Sequence, residues 1–170
     1  MYKQNIYFIP IIKIIKKILN IINMKKYDLT KFIQAQATSY EIALSEIKSG
    51  KKKSHWMWYI FPQMRGLGES QMSHFYGIES IYEAKAYLEN EVLSKRLIEI
   101  SCELLKLRTN DPVEIFSPID AIKLRSSMTL FSCVEGAPDV FKQVLEKYFS
   151  GEVCLKTIDL INLKKNDILT

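Results

Sequence analysis

Apolar positions recur along most of the chain at helical spacing, and strand-like alternation is nowhere sustained. Leu29, Phe32, Ile33, Tyr40, Ala43, Leu44 and Ile47 fall on one face of a helix. Asp28 predicts its start and Gly50 its stop. Gln36 lies near the centre of the same face. It is read either as a packing amide bonded to backbone or as an amide facing a ligand. Pro62 limits the aromatic stretch before it to a short helix or turn. Gly66-Leu67-Gly68 reads as a loop, and Gly77 closes a short piece from Glu69 to Tyr76. Ser80-Ile81-Tyr82-Glu83 has the form of a capping box and opens a helix to about Glu89. The next helix, Glu91 to Arg108, carries a stripe of Leu93, Leu97, Ile100, Leu104 and Leu107. Asp111-Pro112 and Ser117-Pro118 each open a helix, because proline suits the first helical position. The second of these runs to about Cys133. Ala137-Pro138-Asp139 begins another, ending near Gly151, and a last one spans about Leu155 to Ile161. The predicted fold is all-α: a single compact multi-helical domain over residues 24–163, with a frayed, flexible tail over residues 164–170.

The helix opened by Ser117 is unusual. Ile119, Ile122, Leu130 and Cys133 mark one side, while Ala121, Leu124, Met128 and Phe131 mark nearly the opposite one. A helix apolar on both sides is expected to be central. Lys123, Ser126 and Ser127 then have little access to bulk water. A buried ammonium needs a partner or an opening into a pocket, unless the side chain snorkels outward. The serines have the alternative of bonding back to the preceding turn.

Charge and composition narrow the picture. The 170 residues carry a net charge of +5, which on its face suggests nucleic acid. Residues 1–23, however, hold Lys3, Lys13, Lys16 and Lys17 and no acid, so the rest has 20 basic against 19 acidic side chains. No specific nucleic-acid partner is predicted for so neutral a domain. Residues 1–23 have three readings. They are a signal peptide broken by lysines and lacking a cleavage site, or a basic amphipathic helix on a membrane surface. The favoured third reading is a stretch outside the native protein, translated from AT-rich DNA ahead of a start at Met24. Three lysines within the apolar run argue against a transmembrane segment. Cys102, Cys133 and Cys154 are far apart and have no metal-ligand spacing with the two histidines. They fit reduced thiols in a cytoplasmic protein; no metal and no cofactor is expected.

The candidate chemistry sits in Ser54-His55-Trp56-Met57-Trp58-Tyr59-Ile60-Phe61-Pro62-Gln63. Rings at Trp56 and Trp58 can stack on a base or sugar, or can simply be core. His55 can donate or accept a proton near neutral pH. Gln63 adds an amide, and Arg65 can hold a phosphate or carboxylate. Gly66 and Gly68 allow close backbone approach to a ligand. Lys51, Lys52 and Lys53 are either a solvated surface or an anion-attracting rim. No Ser-His-Asp order, P-loop or dinucleotide fingerprint occurs.

These stretches also carry a resemblance. The motifs run from Phe32-Ile33-Gln34-Ala35-Gln36 and the aromatic segment through Gly66-Leu67-Gly68-Glu69-Ser70 and Tyr76-Gly77-Ile78. Glu83-Ala84, Tyr87-Leu88 and Lys123-Leu124-Arg125-Ser126-Ser127-Met128-Thr129-Leu130-Phe131 complete them. Together they resemble the family called domain of unknown function 1810 over about Tyr27 to Leu163. Where that family often has His-Pro-Val-Leu-Gly, this chain has Asn90-Glu91-Val92-Leu93-Ser94, a departure at a helix start. The resemblance implies a small helical bacterial protein of unassigned activity. The label calpastatin, carried by some members, does not suit a chain that is neither disordered nor repetitive. The expected function is binding of a nucleotide-like or other anionic small molecule. The expected polar-lined pocket comprises Gln36, His55, Trp56, Trp58, Gln63, Arg65, Gly66, Gly68, Ser70, Lys123, Ser126 and Ser127. His55 is the candidate for proton transfer if there is chemistry. One alternative is a protein-protein interaction module using the same rings, and a further one is a glycosidic-bond hydrolase acting on ADP-ribose-like substrates.

Overall fold

The computed structural model describes residues 27–169, with side chains to Lys165. The readings of residues 1–23 lie outside the described residues. Within them the fold is all-α. Nine helices follow one another: α1 (Thr30–Lys48), α2 (Met57–Ile60), α3 (Gln71–Phe75), α4 (Ile81–Glu89), α5 (Glu91–Lys106), α6 (Pro112–Ile115), α7 (Pro118–Ser132), α8 (Val140–Phe149) and α9 (Leu155–Leu169). The only β-bridge among the described residues is an isolated parallel one between Met64 and Ile78.

Capping chemistry sets most of the boundaries. Ser80, Asn90, Asp111 and Ser117 each accept a backbone N–H of the helix they open, which satisfies donors that the helix cannot. Asn90 thus supplies the start of α5. Asp28 accepts the N–H of Thr30 at 2.9 Å, and α1 begins there, with Leu29 at its N-cap. Glu83 reaches back as expected but bonds the N–H of Glu79, at 2.6 Å, rather than that of Ser80. Gly50, at φ +74°, turns the chain out of α1.

α5 and α7 are the central helices. α5 packs on α1, α4 and α8, while α7 packs on α8, α9, α4 and α6. Four rings cross the middle in series: Phe32 to Tyr87 at 5.3 Å, Tyr87 to Phe131 at 5.2 Å and Phe131 to Phe141 at 5.8 Å. They tie α1, α4, α7 and α8 into one core. A second group, Trp56, Phe61 and Phe116, joins the aromatic segment to α6.

Two expectations need correction. α7 is enclosed on all sides only in its second half, from Ser126 to Phe131. Its first turns bury one face, with Ala121 4% and Leu124 0% exposed, and leave the other open, so Ile119 is 68% exposed and Ile122 57%. The final helix does not stop near Ile161 but continues to Leu169, since no glycine or proline interrupts the sequence there.

Phe131 touches both Tyr87 and Phe141 and is fully buried. Phe131→Ala is expected to lower unfolding free energy by about 3–5 kcal/mol in urea titrations.

Candidate functional site

The site begins with a carboxylate on α1. Glu46 accepts from the Lys53 N–H at 2.7 Å, from the Ser54 N–H at 3.1 Å, from the Ser54 hydroxyl at 2.6 Å and from the Trp56 indole N–H at 2.8 Å. Burial pushes this carboxyl up, but the four donors outweigh burial and hold it down to about 2. The segment entering α2 is therefore pinned to α1. Trp56 is turned into the core, where it is 1% exposed.

Two residues on, Trp58 faces the other way and is half-buried. The Lys123 ammonium lies 4.7 Å from the centre of its ring, a favourable cation–ring arrangement. Lys123 has also found its partner: Asp120, one turn earlier on α7, at 2.9 Å. The second oxygen of Asp120 takes Lys52 at 2.8 Å, and Lys52 also donates to the Ser54 carbonyl at 2.8 Å. Burial pushes the Asp120 carboxyl up, yet the hydrogen bonds and charges of the two lysines hold it below the ordinary carboxylate value. Two ammonium groups share one carboxylate, so the cluster beside Trp58 keeps a net positive charge.

Trp58 also borders a cleft lined by Gln63, Met64, Gly68, Ser73, Tyr76 and Gly77. It holds only about 10 Å³, roughly the room for one water. The surface is therefore a shelf with a shallow notch. The notch depends on Gly77: a Cβ there would lie 2.7 Å from the Ser73 carbonyl and 2.8 Å from the Arg65 Cβ. Arg65 is held by Glu79 at 2.5 Å, and its backbone N–H bonds the Ile78 carbonyl at 2.8 Å. Gly66, at φ +101°, makes the turn that follows. Ser70 caps α3, accepting the Ser73 N–H at 3.1 Å.

The expected residues thus divide. Trp58, Gln63, Gly68 and Lys123 meet at the shelf, with Arg65 and Gly66 on the chain that frames the notch. His55 is exposed, and its carbonyl accepts the Tyr59 hydroxyl at 3.2 Å. Gln36 lies in the interior and is consumed there: its amide donates to the Tyr59 carbonyl at 2.7 Å and the Tyr87 hydroxyl at 3.0 Å. Ser126 and Ser127 are buried in α7, and Ser126 points toward Cys154, at 3.3 Å. Sequence reasoning missed Glu46, Asp120, Ser73 and Tyr76. For Asp120 a signal existed: its place three positions before Lys123 marks a partner for that lysine.

Among the described residues no three of His, Cys, Asp and Glu gather where an ion could be held, and no helix is long and apolar enough to cross a membrane. A larger open hollow of about 330 Å³ lies elsewhere, between α4 and the α7–α8 loop. It gathers none of the residues above.

Comparison with known proteins bears on the whole fold. The family described as "Protein of unknown function (DUF1810)" matches residues 26–161. A crystal structure of a conserved hypothetical protein from Mycobacterium tuberculosis is similar at 41% identity. The match covers 81% of this chain and 98% of that one, with a TM-score of 0.79. No curated protein matches.

The Glu46 latch makes a directional prediction. The carboxyl sits at about 2 when folded and at its ordinary 4.5 when unfolded. Its contribution is thus present above pH 4.5 and lost as pH falls toward 2. Glu46→Gln is expected to be less stable at neutral pH and to lose less stability than the parent across that acid window. Equal acid slopes for the two proteins in urea titrations would contradict the latch.

Proposed function

The chain belongs to the DUF1810 family, and on that premise we propose that it binds a small anionic ligand with a flat ring, such as a nucleotide, on the Trp58 shelf. The observation that carries this reading is the half-buried Trp58 ring beside a two-lysine, one-carboxylate cluster, with the Lys123 ammonium 4.7 Å from the ring centre. A ring of the ligand would stack on exposed indole surface, while its phosphate or carboxylate would draw on the surplus positive charge. Gln63, Ser73 and Tyr76 supply hydrogen-bonding groups at the notch, and a few placed polar groups beside aromatic surface are the usual form of such sites. Arg65 would be recruited only by competing with Glu79.

A protein-binding reading draws on a different surface from the one expected. Trp56 is withdrawn into the core, but Phe75 is 57% exposed and Ile119 and Ile122 are more than half exposed. Rings and aliphatic groups of that kind serve as anchors for partners. For hydrolysis of a glycosidic bond, Asp120 would have to remain ionised and act as a base or charge stabiliser, because two lysines hold its proton off. His55 is one exposed group that could supply a proton, and His74 on α3 is another.

Calorimetric titration with ADP, AMP and adenosine tests the ligand reading. Nucleotides are expected to bind more tightly than adenosine. Trp58→Ala should weaken binding by about 5- to 150-fold, the equivalent of about 1–3 kcal/mol of lost stacking. Lys123→Gln should weaken the nucleotides while leaving adenosine unchanged. Absence of heat for all three ligands with folded protein would favour the protein-binding reading.

A further inference from the structure

We propose that the notch beside Trp58 selects a primary amino group on the edge of the stacked ring, so that the shelf takes an aminated base, such as adenine or cytosine, in preference to an oxo base. The inference rests on the ligand reading above and adds to it the identity of the ring. Trp58 belongs to both surfaces: Lys123 lies over its ring, and the same residue lines the notch. A ring lying on the indole therefore has an edge against the notch.

Room is the first filter. The notch holds about 10 Å³, which suits one heavy atom with its hydrogens. Its walls are fixed at that spacing. On one side the Ile78 N–H donates to the Gln63 carbonyl at 2.8 Å, and the Arg65 N–H to the Ile78 carbonyl at 2.8 Å. On the other, the Tyr76 ring is packed against Phe32, Tyr59 and Phe75 at 4.8 to 5.8 Å. Gly68 keeps the space beside Ser73 open: a Cβ there would lie 3.0 Å from both the Cβ and the hydroxyl oxygen of Ser73. A bare exocyclic group fits this space, and an alkylated one does not.

Hydrogen-bond polarity is the second filter. Among the described residues, neither the Gln63 amide nor the Tyr76 hydroxyl has a partner. Each can turn to donate or to accept. Ser73 has no such freedom. Its hydroxyl donates to the Ser70 carbonyl at 2.7 Å, and the Ser70 hydroxyl donates back to it at 3.1 Å. With its proton committed, the Ser73 oxygen has only a lone pair left to offer. The fixed member sets the preference. An amino group gives Ser73 a proton, whereas a ring carbonyl would set oxygen against oxygen.

Calorimetric titration of the full-length protein with ADP, inosine diphosphate and purine riboside diphosphate tests the proposal. The three differ only in carrying an amino group, an oxygen or a hydrogen at one ring position. ADP is expected to bind about tenfold more tightly than inosine diphosphate, the effect of one hydrogen bond made rather than opposed. Ser73→Ala should remove that preference. Gly68→Ala should weaken ADP by about tenfold and leave purine riboside diphosphate nearly unchanged, in samples whose circular dichroism matches the parent. The proposal is overturned if the parent binds ADP and inosine diphosphate equally, or if both variants keep the parent preference. In either case, weakening of every nucleotide by Trp58→Ala would leave the shelf reading standing. Absence of binding for all three nucleotides overturns the proposal and the shelf reading together.

Discussion

The Glu46 carboxylate is the interaction on which the rest depends. Four donors from Lys53, Ser54 and Trp56 converge on it, and a charged acceptor with several short bonds is among the stronger polar contacts a protein makes. It fixes the direction in which the aromatic segment leaves α1. With Trp56 bound to that carboxylate, the helical turn that follows carries Trp58 outward. Lys52, immediately before the latch, is brought to Asp120 on α7. One carboxylate on α1 thereby sets the position of a second one on α7, and the two together frame the shelf.

The two tryptophans illustrate how one local constraint separates core from partly exposed surface. They are two residues apart and chemically identical. One spends its indole N–H on Glu46 and its faces on Phe61 and Phe116. The other keeps a face near solvent, under a lysine that is itself held by Asp120. Gly77 makes a comparable contribution on the far side of the notch, because only a residue without a side chain lets the Arg65 and Ser73 backbones come so close.

Much of the fold was legible in the sequence because the signals were local. Ser80, Asn90, Asp111 and Ser117 open helices through their own side chains, and the stripe on α5 is buried as its spacing requires. What was not legible depended on contacts distant in sequence. The wheel of α7 could not show that only one of its two apolar faces is covered in the first turns, leaving Ile119 and Ile122 in solvent. Gln36 was correctly placed on a buried face, but its three-way bonding to Tyr59, Tyr87 and Arg96 needs residues from three other helices, α2, α4 and α5. The site was legible in part. The residue types at Trp58, Gln63, Gly68 and Lys123 pointed to one surface. The pairing of Lys52 and Lys123 through Asp120, which sets its charge, arises only in the folded chain.

The central claim is that Trp58, and not Trp56, is the ligand-facing ring. The chain has two tryptophans, so a nitrogen-15 NMR titration with ADP follows two indole N–H signals. The account predicts that the Trp58 signal moves progressively with ADP while the Trp56 signal, bonded to Glu46, stays in place. A titration in which neither signal moves, or in which Trp56 moves and Trp58 does not, would contradict it.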